Sequence, residues 1–169
     1  MDWSYVEQEC SFILCHRYAK ELVKKATNLV HLNPNAPLAL FCDASDVCIG
    51  GILRQMTPSG WKAVGYYSKS LNSAQRNYST FRKELFALYM SIRHFLAEII
   101  GRKLICFSDH KAICDAFKRP ELKQNDQIAA RQMLEISQFT DDIRHIAGVK
   151  NVMADFLSSL DKAHKLHCQ

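Results

Sequence analysis

No Cys-x-x-Cys pair occurs in the chain, and although it has seven cysteines, nothing in their placing calls for a disulfide framework. Cys42, Cys48, Cys106 and Cys114 lie among apolar neighbours, as small buried thiols do in reducing compartments. The start, Met1 to Cys10, lacks the basic-then-apolar order of a signal peptide, and no apolar run approaches membrane-spanning length. Internal repeats and low-complexity segments are also missing. These absences exclude a secreted disulfide scaffold and a helical membrane protein. They lead us to expect a soluble, intracellular chain.

What is present suits one globular core. With 169 residues, 48% hydrophobic and 23% charged, the chain can bury one good core but hardly two. A net charge of +5 comes from 22 basic against 17 acidic residues spread along the chain, which permits a nucleic-acid partner without demonstrating one.

Apolar residues from Leu14 to Ala26 recur at helical spacing, and Asn33-Pro34-Asn35-Ala36-Pro37 breaks that helix. Three strand-like runs follow: Leu38 to Asp43, Ile49 to Gln55 and Trp61 to Tyr67, the last two joined by the turn residues Thr57-Pro58-Ser59-Gly60. Such short links predict an antiparallel meander. The longest helical pattern starts at Ser79, a suitable cap, and runs through Phe81, Leu85, Leu88, Ile92, Phe95 and Ile99 until Gly101 stops it. Beyond it, Lys103 to Ser108 reads as a strand, Lys111 to Phe117 and Ile128 to Phe139 as helices, Ile143 to Ala147 as a fifth strand, and Val152 to Leu160 as a final short helix. The expected fold class is therefore α/β: a five-stranded mixed sheet, three antiparallel strands then two parallel, flanked by helices.

On this reading four acids come from four different elements. Asp43 closes the first strand, Glu84 lies early in the long helix, Asp109 closes the fourth strand and Asp155 lies in the last helix. Carboxylates at the carboxyl ends of neighbouring strands point into the crevice where such sheets bind ligands. Crowded carboxylates repel and take up protons, and divalent ions remove that cost. The matching chemistry is phosphodiester cleavage by two Mg²⁺ ions and a metal-activated water. Taken singly, each acid also has a bland explanation, since Asp is common after strands and Glu in a first turn complements the helix dipole. The pattern alone leaves both readings standing.

The strings FCDASDVCIGGIL, NYSTFRKELFALYMSIRHF, LICFSDHKAI and HIAGVKNVMADFLSSL resemble, in that order, the RNase H domain of gypsy-type LTR retrotransposon reverse transcriptases. The resemblance implies an RNase H-like fold over residues 37–160, preceded by a helical connecting segment from the polymerase at 1–36 and followed by a flexible tail at 161–169. It implies hydrolysis of the RNA strand of an RNA/DNA hybrid with two Mg²⁺ ions, for which Mn²⁺ can substitute. It gives metal-ligand roles to Asp43 of DAS, Glu84 of KEL, Asp109 of SDH and Asp155 of MAD. The family more often has ADALSR and TDH where this chain has Ala154-Asp155-Phe156-Leu157-Ser158-Ser159 and Ser108-Asp109-His110. Neither departure replaces a ligand, but the bulkier Phe156 could shift Asp155. Nothing resembles a polymerase site, so this piece alone is not expected to synthesise DNA; the resemblance implies the polymerase as a partner in the parent polyprotein, in a cytoplasmic retroelement particle or the nucleus, and no organic cofactor and no membrane partner are expected.

Other residues have two readings each. His145 stands ten positions before Asp155, where relatives carry a histidine thought to move protons or release product; it also fits an ordinary strand histidine. Ser79 and Thr80 open the long helix, where free N–H groups suit a phosphate, and Lys69, Arg76 and Arg82 are near in sequence; lysines and arginines there equally make a solvated face. Trp61, Tyr66 and Tyr67 read as packing residues, and the His164-to-Cys168 tail has too few ligands for a zinc site. The rival to an active nuclease is a retroelement-derived domain, weak or inactive, that binds nucleic acid or a protein. A DNA-cutting nuclease of the integrase kind ranks last, because its three-acid pattern and zinc module are not apparent.

Overall fold

Pro37 leads directly into β1 (Leu38–Ala44), whose residues Leu38 to Asp43 are all buried. A strand buried on both faces needs a near-continuous apolar run, and LALFC supplies it. The computed structural model describes residues 29–118 and 126–147. The helices expected at Leu14–Ala26 and Val152–Leu160, with Asp155 and Phe156, lie outside these residues, as does the 161–169 tail.

β1 pairs antiparallel with β2 (Cys48–Thr57), and β2 with β3 (Gly60–Ser70). The tight β2–β3 turn is closed by Gly60 at φ +99°, a conformation glycine adopts without cost. A bulge at Leu53/Arg54 shifts the β2–β3 register. After a short helix α1 (Ser73–Arg76) come α2 (Thr80–His94), α3 (Leu96–Ile99), β4 (Leu104–Ser108), α4 (Lys111–Lys118), α5 (Gln127–Ser137) and β5 (Ile143–His145). β4 pairs parallel with β1, and β5 parallel with β4, giving the order β3-β2-β1-β4-β5. The three antiparallel and two parallel strands are those expected.

The residues of β1 divide between the two faces of the sheet. Leu38, Leu40 and Cys42 join the main core with Leu85, Leu88 and Ile92 of α2 and Ala129 and Ile136 of α5. Ala39 and Phe41 face the other way, with Trp61 and Phe107; the rings of Phe41 and Phe107, register partners, stack at 4.7 Å. Trp61 and Tyr67 are packing residues, as expected, and Tyr67 also stacks on His94 at 4.5 Å.

The long helical pattern is not one helix. α2 stops at His94, because Phe95 leaves helical geometry (φ −96°, ψ 21°), and α3 is a separate turn ended by Gly101 at φ +71°. Phe95 is buried against β3 where Gly65 has no side chain. The fifth strand is also shorter than the expected Ile143–Ala147.

Candidate metal centre

Asp43, near the carboxyl end of β1, and Asp109, directly after β4, are brought together because those strands are parallel neighbours. Glu84 reaches them from the second turn of α2, which lies across β1. One carboxylate oxygen from each of Asp43, Glu84 and Asp109 lies within 4.8 Å of the others. Asp43 and Glu84 are each 5% exposed. The sequence thus places three of its four acids together; Asp155 lies outside the described residues.

Such a group is costly without a cation. Glu84 Oε1 accepts the Ala44 N–H at 3.3 Å, while Glu84 Oε2 is buried with no hydrogen-bond partner. Burial pushes the Glu84 carboxyl up from the usual 4.5 to about 9, with the Asp43 and then the Asp109 charge adding to the rise and the Ala44 N–H opposing it. A buried carboxylate with an unpartnered oxygen, gathered with two further carboxylates, is a donor set for a hard divalent ion. The residues present fit Mg²⁺ or Mn²⁺.

The surroundings hold the corner that carries Asp109. The His110 N–H donates to Ser108 Oγ at 3.1 Å, and the Ile146 N–H to Ser108 O at 3.0 Å. His145, exposed on β5, sits 3.1 Å from the Asp109 carbonyl through Nε2, which must donate because a carbonyl oxygen only accepts. The His110 ring meets Phe81 of α2 edge-on at 6.0 Å.

The expected phosphate contacts are distributed differently. Ser79 is the α2 N-cap, its hydroxyl accepting from the Arg82 N–H at 3.4 Å, and Thr80 is exposed beside it. Arg76 donates through Nε to the Leu71 carbonyl at 3.0 Å. Arg82 pairs with Asp126 at 3.0 Å and stacks on Tyr78 at 4.1 Å, and Lys69 lies 6.0 Å from the Phe86 ring centroid. Lys83, which the sequence pattern did not single out, is buried next to Glu84.

The family model for the RNase H-like domain found in reverse transcriptase matches residues 13–106, more than half of the chain. The chain belongs to that family. Over 140 residues, 82% of its length, this RNase H-like domain is 34% identical to the enzymatic polyprotein of carnation etched ring virus. It is 32% identical over 136 residues, 78% of its length, to the transposon Tf2-3 polyprotein of Schizosaccharomyces pombe. It spans only 21% and 10% of those two relatives.

Solved structures share the fold at low identity. LC11-RNase H1 in complex with RNA/DNA hybrid superposes with a TM-score of 0.55 at 15% identity, covering 75% of this chain and 99% of that one. The N-terminal RNase H domain of a Mycobacterium tuberculosis protein gives 0.57 at 13% identity, over 77% of this chain and 97% of that one. Among the described residues, no helix is long and apolar enough to cross a membrane.

Proposed function

We propose that the chain is an endoribonuclease that hydrolyses the RNA strand of RNA/DNA hybrids, as part of a gypsy-type retroelement reverse transcriptase. The observation that carries this reading is the gathering of Asp43, Glu84 and Asp109 carboxylate oxygens within 4.8 Å. On this reading those three and Asp155 hold two Mg²⁺ ions, with Mn²⁺ an effective substitute. Divalent ions held by these residues would supply charge neutralisation for phosphodiester cleavage.

This chain's own residues supply the rest. Asp43 in β1 and Asp109 directly after the neighbouring β4 provide a pair of carboxylates, and Glu84 gives up its proton when the site is loaded. His145 donates Nε2–H to the Asp109 carbonyl and so stands beside the site, where it assists proton movement or product release. Ser79 and Thr80 at the α2 N-terminus contact the nucleic-acid backbone, flanked by Arg76 and Arg82, which the Leu71 carbonyl and Asp126 hold in place. Residues 37–160 form the nuclease unit, and 1–36 connect it to the polymerase of the polyprotein, in a cytoplasmic particle or the nucleus.

The test is incubation of a strand-labelled RNA/DNA hybrid with Mg²⁺ or Mn²⁺, beside Asp109→Asn. RNA-strand fragments from the wild type and none from the variant, at unchanged thermal stability, are the expected outcome. One observation favours a binding-only remnant: Phe156 stands where the family more often has Ala. Hybrid affinity with no metal-dependent product would select it.

A further inference from the structure

Lys83 is 8% exposed, unusual for a lysine, and no step described so far uses it. Its Nζ lies 2.7 Å from Asp46 Oδ1, whose side chain is 96% exposed. An ion pair with one fully solvated partner adds little to stability. What the pair does secure is position. Asp46 lies in the turn between β1 and β2, three residues after Asp43. That turn is stiff: the Ser45 N–H donates to Cys48 O at 2.8 Å and the Cys48 N–H to Ser45 Oγ at 3.0 Å.

Successive residues of α2 therefore grip one strand end at two points, Glu84 at Ala44 and Lys83 at Asp46. The Glu84 bond is long, at 3.3 Å, and is made by one of the three residues whose carboxylate oxygens gather at the candidate metal centre. The Lys83 bond is short and uses none of those oxygens. We propose that Lys83, acting through Asp46, is a positioning residue that keeps the Asp43 and Glu84 carboxylates at the spacing a divalent ion requires. This rests on the metal-dependent reading above.

Charge alone would act in a different direction. Removing a cation near the site should tighten binding of a divalent ion, and removing an anion should loosen it. Loss of positioning loosens binding in both cases.

The test is Mn²⁺ binding to the full 169-residue chain, read from the electron paramagnetic resonance of the free ion, with urea denaturation of the ion-free protein alongside. Lys83→Met and Asp46→Asn are each expected to raise the Mn²⁺ dissociation constant about tenfold, the low end for groups that orient ligands. The double variant should bind within about twofold of either single one, since one contact is lost in all three. Tighter binding by Lys83→Met overturns the proposal, as does an unchanged constant in Asp46→Asn, whose exposed side chain makes that variant safe for folding. Failure of the wild type to bind Mn²⁺ removes the metal reading and this proposal together; wild-type binding with unaltered variants removes the proposal alone.

Discussion

Buried beside Asp43 and Asp109, Glu84 keeps its proton up to about pH 9 in the folded protein, whereas in an unfolded chain it ionises near 4.5. Below 4.5 both states hold the proton and the fold bears no penalty. As pH rises from there to about 9, the unfolded chain gains the freedom to ionise, so stability falls across this window. We therefore expect the ion-free protein, unfolded thermally in a chelator, to lose stability continuously from about pH 5 to about pH 9. Mg²⁺ takes the place of the proton and should flatten the profile. Glu84→Gln has no proton to release, so its ion-free form should show no such slope and exceed the wild type in stability at pH 8, while failing to cleave. A Glu84→Gln variant less stable than the wild type at that pH would show that burial of this acid is not the source of the strain. The same side chain is thus expected to cost the empty fold stability and to serve the loaded one, a trade common at active sites.

At the scale of elements, what could be read from sequence depended on how local the signal was. β1 was legible because a strand buried on both faces writes itself as an apolar run, and Asp43 and Asp109 followed from the strand ends. Ser79 was legible as a cap because its hydroxyl serves a backbone N–H three residues away. The four-residue α1 was missed: it is too short for periodicity, although Asn72 and Gln75 form the capping box that could have revealed it. The break at Phe95 was not legible, since the apolar period continues through it while the Phe95 ring packs against Gly65, thirty residues earlier. A Cβ at Gly65 would lie 2.7 Å from Phe95 Cε1. Gly65→Ala should therefore force the ring to move and destabilise the protein by about 1–3 kcal/mol, measured by urea denaturation. Adding Phe95→Leu should recover part of the loss, because the two changes share one contact. A Gly65→Ala protein as stable as the wild type would show that the Phe95 ring yields to the added methyl without cost. Lys83 belongs with the illegible part: its burial depends on how α2 lies on the sheet, which no window of sequence reports.

Across the whole molecule, the excess of 22 basic over 17 acidic residues favours a polyanion, but much of that charge has internal employment. Among the described residues, Arg82 is paired with Asp126, Lys83 with Asp46 and Arg144 with Asp142; Arg76 holds the Leu71 carbonyl and Arg102 the Ala36 carbonyl. Cations so engaged give up existing contacts before they can meet phosphates. The α2 N-terminus, by contrast, offers exposed Thr80 and backbone N–H groups that carry no counter-ion requirement. Hybrid binding should then depend on salt only moderately, because each phosphate neutralised by a side chain contributes roughly 0.9 to the slope of log K against log salt. We expect a slope no steeper than about −4, measured by fluorescence anisotropy with Ca²⁺ in place of Mg²⁺ to hold the hybrid uncut. Arg82→Ala should change that slope by less than about 1 while lowering thermal stability, since it loses the contacts to Asp126 and Tyr78. A slope near −8, falling by a full unit or more in Arg82→Ala, would show instead that these arginines leave their internal partners and bind phosphate when the hybrid arrives.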